Sequence, residues 1–468
     1  MMNIRLSEGI NTGAICDFIN GCYQNGTNIR TFGIVRDNNL LAAAAIEPYS
    51  FSDKVLVYSL SKSFTSVCVG IAQSEGLLNI DERIIDIFPD KCPAVISENL
   101  SKMRIKDCLC MTSGHSVCCM NTITFTSDPI KSFLSQPVEH TPGTTFVYST
   151  AATYICGSVI ERRSGMLLID YLYEKVLQKM DIEKPLWMRC ADGSCKGGTG
   201  LIISGEDVTK FGIMLRDGGV FGGKRIVPEE WIKTASSIHS RAPENGTPDW
   251  TAGYGYQFWM NAREGYRGDG AYGQLCMILP KRNMVFTMLC ESVNMQKEVE
   301  LVYSLLDDIE KADNSRLDEL TELTKTLYKP QKCLSSLQKT CFKLEKNIAA
   351  INTVTLERCE DSLTITLDCE YGTEKIVCGN GYYIKNSVFL QNLNPLIYTG
   401  YIYEQPEEIS LFASFSTDEN GIAVTLRHIG TPHVQVWTFP RGKTGEWRIS
   451  LRTGTLNERI RRTSLVGC

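Results

Sequence analysis

Ser59 and Lys62 stand three residues apart in "VYSLSKSFTS", residues 57–66, and could form a nucleophile and its proton acceptor. A serine hydroxyl needs a neighbouring base, and a lysine can serve only when it is neutral. At i and i+3 on a first helical turn both side chains would project from one face. The helix N-terminus would offer free N–H groups and a positive partial charge to an oxyanion forming at Ser59. The same field, together with burial, would depress the Lys62 pKa. The plainer alternative is a serine cap beside a solvated lysine. Ser61 and Ser63 have no lysine three residues on and are assigned supporting roles. A second S-x-x-K, Ser336-Leu337-Gln338-Lys339, lies in a polar stretch with no apolar helix after it and reads as chance.

The elements around the pair suit that chemistry. "KVLVY" leads in as a β-like segment, and Phe64, Val67, Cys68 and Ile71 recur at helical spacing up to a stop at Gly76. Upstream, "IRTFGIVRDNNLLAAAAI" reads as a hairpin around Asp37-Asn38-Asn39. The middle is mostly helical, with "SGEDVTKFGIMLRDGG" capped by Ser204 or Asp207 and ended by Gly218-Gly219. Strands return in "YGYQFWM", "GQLCMIL" and "MVFTMLC", with "PKRN" as a turn, before an amphipathic helix over 295–311. The fold class is therefore α/β: an antiparallel sheet flanked by helices plus an all-α lobe. Residues 313–345 read as a helical linker between a domain at 1–312 and an accessory domain at 346–468. The latter alternates short strands and turns, as in a small all-β barrel or sandwich.

The 468 residues, 43% hydrophobic, suffice for a large core and a second domain. A net charge of −5 without a long basic block argues against nucleic acid or an anionic membrane surface as partner. The N-terminal stretch lacks a signal-peptide pattern, and "LLAAAAI" is too short to span a bilayer, so a cytoplasmic location is expected. Nineteen cysteines then read as reduced thiols. "CLCMTSGHSVCC" has poor spacing for tetrahedral zinc, and small buried residues account for it better. There is no G-x-S-x-G and no H-E-x-x-H, and "FGGKR" lacks the rest of a phosphate loop. His115 and His140 read as ordinary loop positions.

Further along, "HTPGTTFVYSTAATYICGSVIERRSG" supplies Tyr148 before an apolar helix. Taken together, "YSLSKSFTS", "LCMTSGH", "PGTTFVYS", "GYGYQFW" and "GDGAYGQ" occur in an order and spacing that resembles the class C β-lactamase and DD-peptidase-like serine hydrolases, which include esterases and the 6-aminohexanoate-dimer hydrolase type. The match covers about residues 15–312. The resemblance implies that Ser59 is acylated, Lys62 accepts its proton and Tyr148 passes a proton to the leaving group, with either Lys62 or Tyr148 as general base. It also implies an oxyanion hole from the backbone N–H groups of Ser59 and Ala271, and no metal or organic cofactor.

Two motifs depart from the family pattern. The Y-x-N element is Tyr148-Ser149-Thr150, where Thr150 keeps a hydroxyl but loses an amide. The K-T-G element falls at Gly268-Asp269-Gly270, because strand, turn, strand and helix follow it. The literal Lys443-Thr444-Gly445 instead reads as a hairpin turn in the C-terminal domain. Thr150, Asp269 and Gly270 are the expected substrate-binding positions. A lysine that would anchor a substrate carboxylate is missing, Asp269 adds negative charge, and Arg267 should point away from the Gly268 side. The expected reaction is hydrolysis of a small neutral or cationic ester or amide. The alternatives are a class C-type β-lactamase, a D-amino peptidase, or a non-catalytic ligand-binding relative of penicillin-binding proteins.

Overall fold

The computed structural model describes residues 3–242, 246–333, 339–347, 350–370, 372–389, 408–417, 421–440, 446–451 and 457–465. The chain forms two compact units, one of residues 1–44 and 56–317, the other of 45–55 and 318–468. Lys443-Thr444-Gly445 lies outside the described residues, as does most of Ser336–Lys339.

A seven-stranded sheet organises the first unit: β1 (Ile4–Leu6), β2 (Asn28–Arg36), β3 (Asn39–Ala45), β4 (Trp259–Met260), β5 (Tyr266–Gly270), β6 (Gln274–Leu279) and β7 (Met284–Glu291). Their spatial order is β1-β3-β2-β7-β6-β5-β4. The β2–β3 turn places Asp37 and Asn38 at φ 49° and 65°. Short polar side chains tolerate those left-handed positions, and that geometry matches the strand twist. Residues 1–44 thus supply one side of the sheet and residues 259–291 the other, joined where β2 pairs antiparallel with β7.

Both faces of the sheet are covered, so its central strands are buried along almost their whole length. Phe18 of helix α1 (Thr12–Gln24) meets Phe32 of β2 edge-on at 5.7 Å and Phe286 of β7 at 5.9 Å. The adjacent Val285 points to the other face, where it presses on Gly212 of helix α4 (Gly205–Arg216). Any Cβ at Gly212 would come within 2.6 Å of it. Phe211 of α4 in turn stacks at 3.8 Å on Phe64 of helix α2 (Ser61–Ser74). Helix α2 is buried along nearly its whole length, between α4, the sheet and helix α3 (Thr150–Ser164). Helix α5 (Met295–Asp308) closes the α1 face.

The second unit is a ten-stranded antiparallel sheet running from Thr340 to Leu465. A parallel contact of Gly379 and Asn380 with Ser414 and Phe415 closes the sheet on itself. Its interior is filled by residues such as Val354, Ile365, Leu411, Val424 and Trp437. The stretch expected as a linker carries a helix, Leu317–Thr326, and the first strand, Thr340–Leu344. Among the described residues, no helix is long and apolar enough to cross a membrane.

Candidate active site

Ser59 sits in a 3-10 turn, Tyr58–Leu60, that runs directly into α2. The sequence expectation puts it on the first α-helical turn; the tighter turn precedes that helix. Tyr58 holds φ at 48°, a costly conformation for a bulky residue. Two bonds help fix it. Ser61 Oγ donates to the Tyr58 carbonyl at 2.6 Å and accepts from the Leu201 N–H at 3.1 Å. Ser63 is equally occupied, donating to the Gln257 carbonyl at 3.0 Å. Of the three clustered serines, Ser59 is the partly exposed one and the one bonded to Lys62.

Lys62 is 1% exposed. Its Nζ lies 3.0 Å from Ser59 Oγ, 3.1 Å from Thr150 Oγ1 and 2.6 Å from the Gly198 carbonyl. Burial is the main reason that its pKa falls to about 7; Cys118 and Asp269 pull it upward. The partner set accommodates a neutral amine. The carbonyl can only accept, whereas both hydroxyls can donate or accept. Two N–H bonds can therefore serve Gly198 and Thr150 while the lone pair faces the Ser59 proton.

Tyr148 comes to the same place from the segment before α3. Lys62 Nζ is 5.0 Å from its ring centroid, and the ring stacks on Trp259 at 5.5 Å. Ser149 caps α3, accepting from the Ala152 N–H, which leaves Thr150 on the first turn facing Lys62. The shorter threonine thus reaches the lysine without the amide of the usual motif.

The far wall is the end of β5. Gly268 lies so close to α2 that a Cβ would come within 2.5 Å of Leu60 and Ser63. At Gly270 it would come within 2.1 Å of the Val57 carbonyl, where backbone packs on backbone and only glycine fits. Ala271 follows, and the ring of Tyr272 lies 5.3 Å from that of Tyr58. Asp269 and Arg267 share the opposite side of the strand from Gly268, and they pair there at 3.0 Å. Arg267 is completely buried and also donates to the Met260 and Asp249 carbonyls and to Asn261 Oδ1. The Asp269 charge is therefore matched, and its carboxyl pKa is raised by burial against the pull of Arg267 and Lys62.

Three positions near the site are given no part in it by the sequence motifs. The Gly198 carbonyl belongs to "KGGTG", where Gly197 and Gly200 take φ of 57° and 97°. The nearby Gly197 carbonyl accepts from Thr65. The clustered glycines are the signal that could have pointed there. Gln257 is expected in a strand over "YGYQFWM", but only Trp259–Met260 is extended. Gln257 has φ 69° because the Tyr256 and Gln257 carbonyls turn toward Ser66 and Ser63 of α2. Its side chain accepts from Thr153 and donates to the Cys108 and Leu109 carbonyls, tying α3 to the short helix Ile105–Leu109. Third, Cys118 is exposed yet close enough to influence Lys62.

His115 is buried against Phe133, bonded to Ser113, and its pKa falls to about 4 through burial. His140 is half-exposed beside Ser116. No group of three or more metal-ligating side chains occurs among the described residues, and no disulfide joins the described cysteines.

The family model described as "Beta-lactamase" matches residues 31–308. The chain belongs to the beta-lactamase family of hydrolases. The matched span contains the whole of the site just described. A 6-aminohexanoate-dimer hydrolase of Paenarthrobacter ureafaciens is 23% identical over 281 residues, 55% of this chain and 71% of that protein. Among solved structures, the octameric penicillin-binding protein homologue of Pyrococcus abyssi is similar over 93% of this chain and 99% of its own, at 14% identity and TM-score 0.53. The hydrolase EstCE1, described as having promiscuous acyltransferase activity, matches 64% of this chain and 99% of its own, at 15% identity and TM-score 0.53. At such identities the structures speak for the fold alone.

Proposed function

We propose that the protein is a serine hydrolase that cleaves an ester or amide of a small molecule through a Ser59 acyl-enzyme. The observation that carries this reading is the bond between Ser59 Oγ and a buried Lys62 whose pKa lies near neutrality. Ser59 Oγ attacks the substrate carbonyl carbon as its proton passes to Lys62 or Tyr148. The N–H groups of Ser59 and Ala271 hold the resulting oxyanion. Collapse breaks the C–O or C–N bond, and the leaving group takes a proton through Tyr148. Water then attacks the acyl ester by the reverse proton route and frees Ser59. Thr150 positions Lys62, while Asp269 and Gly270 border the substrate.

The same site supports a preference against carboxylate-bearing β-lactams. Gly268 replaces the anchoring lysine, and Arg267 is buried in its pair with Asp269. A cytoplasmic location is part of this reading, and the free cysteines, most of them buried, suit a reducing compartment. A fluorophosphonate probe tests the mechanism, followed by a panel of neutral, cationic and anionic esters and amides. Labelling of the wild type that vanishes in Ser59→Ala supports it; a folded wild type that stays unlabelled points instead to a ligand-binding relative.

A further inference from the structure

The second unit holds a cavity of about 420 Å³ whose lining belongs wholly to that unit. This is the size range of small-molecule sites. The lining includes Glu47, Glu322, Lys325, Lys329, Tyr382 and Tyr383. Glu322, Lys325 and Lys329 follow one another at three- and four-residue steps, so they present one side of the Leu317–Thr326 helix and the turn after it. None of these three is in an ion pair among the described residues.

Arg427 lies against Tyr383, a lining residue. It is 5% exposed, with its guanidinium 4.2 Å from the Tyr328 ring and 5.5 Å from that of Tyr383. No carboxylate pairs with it among the described residues, and its Nη1 has no hydrogen-bond partner there. A buried cation without a counter-ion is costly to keep, and its field reaches far through low-dielectric surroundings. A hydrogen bond carries that field toward the cavity. Arg427 Nε donates to Tyr383 Oη at 2.8 Å, so the tyrosine oxygen is already an acceptor and its own proton is left to donate. Accepting a bond from a cation also strengthens that O–H as a donor.

The cavity therefore combines a polarised hydroxyl and two ammonium groups with two carboxylates. A simple anion would meet Glu47 and Glu322, and a simple cation would meet Lys325, Lys329 and the field of Arg427. A molecule carrying both charges suits both sets. We propose that this cavity binds a small zwitterion, a free amino acid or an amino carboxylic acid of similar size. Its carboxylate engages Tyr383, Lys325 and Lys329, and its ammonium group engages Glu322 and Glu47. The ring of Tyr382, 47% exposed, offers an apolar surface for the rest of the molecule.

Three probes of similar shape separate the charge requirements: phenylalanine, phenylacetate and phenethylamine. Each is titrated into the full-length protein by calorimetry and saturation-transfer NMR. Phenylalanine is expected to bind, with phenylacetate and phenethylamine each at least about tenfold weaker. In Lys325→Ala/Lys329→Ala, whose altered side chains are exposed, phenylalanine affinity should fall by about tenfold or more at an unchanged melting temperature. Tyr383→Phe should weaken it similarly. No detectable phenylalanine binding overturns the proposal, as does equal binding of phenylacetate or phenethylamine. Binding that survives the double lysine variant also overturns it, because the ligand then sits elsewhere, the Ser59 cleft included. None of these results depends on whether Ser59 is acylated.

Discussion

Arg267 and Asp269 form an ion pair 3.0 Å long with side chains 0% and 5% exposed, beside the strand end that faces Ser59. Two residues apart on an extended strand, they point to the same side. The charge that Asp269 would otherwise direct at a substrate is thus neutralised inside the protein, and the Arg267 guanidinium is occupied with it. With a glycine at 268, that strand end presents no cation free to hold a substrate carboxylate.

Turnover should follow that chemistry. Neutral esters or amides are expected to give a kcat/KM at least about a hundredfold above that of carboxylate-bearing β-lactams, a difference of about 2.7 kcal/mol in transition-state binding. Steady-state kinetics on both classes checks this. Efficient hydrolysis of a carboxylate-bearing β-lactam would mean that another group supplies the anchor.

The ion pair itself can be broken. Asp269→Asn leaves Arg267 buried without its counter-charge, and removing one partner of such a pair costs about 3–5 kcal/mol. The remaining bonds to Asn261 and two carbonyls should hold the loss toward the lower figure. Thermal unfolding of wild type and variant in parallel measures it; an unchanged midpoint would show that the carboxyl is already neutral.

Much of this site is legible in the sequence because it is written in side-chain types. A serine, a lysine three residues on and an apolar helix after them announce themselves, as does a tyrosine before a second apolar helix. Backbone contributions do not. The Gly198 carbonyl that completes the Lys62 environment carries no chemistry of its own in the sequence, and its trace there is the clustered glycines that a tight approach to α3 requires. Gln257 sits among strand-forming residues, yet hydroxyls of α2 draw its carbonyl and that of Tyr256 out of the ladder. The Arg267–Asp269 pair follows from strand parity, but parity says nothing of the burial that removes both charges from the cleft. Nor does any local pattern reveal that residues 45–55 leave the first unit for the second.

Protonation of Lys62 should control the pH profile. Its folded pKa lies near 7 against an ordinary 10.5, because burial penalises the ammonium form. Only the neutral amine can accept the Ser59 proton, so kcat/KM should rise through about pH 7 and level off above it. The stability linkage has a definite sign as well. Between the folded pKa near 7 and the unfolded value near 10.5 the unfolded chain binds more protons, so stability rises with pH across that window. Lys62→Met should abolish turnover and flatten this dependence; a pH–rate profile and a set of melting curves test the two halves separately.

Space, not chemistry, should make Gly270 irreplaceable. A Cβ there would stand 2.1 Å from the Val57 carbonyl, which is backbone and cannot swing aside. Gly270→Ala is expected to force the strand end from the Ser59 turn, costing about 1–3 kcal/mol of stability. A displacement of that kind at a positioned oxyanion donor should lower kcat by roughly a hundredfold with a smaller change in KM. Kinetics together with thermal unfolding would distinguish this from a global folding defect. Wild-type kcat in the variant would remove Ala271 from the oxyanion hole.

Thr150 offers the finest test of how Lys62 is tuned. Its Oγ1 accepts from Nζ at 3.1 Å, a bond that favours the charged amine. In Thr150→Val the shape is retained and that acceptor is lost, so the Lys62 pKa should fall and the acid limb of kcat/KM should move to lower pH. The plateau rate should drop as well, by about tenfold, because the amine loses one of the contacts that aim it at Ser59. Thr150→Ser should restore both the limb and most of the plateau. A limb that stays in place in Thr150→Val would show that the titrating group behind it is not Lys62.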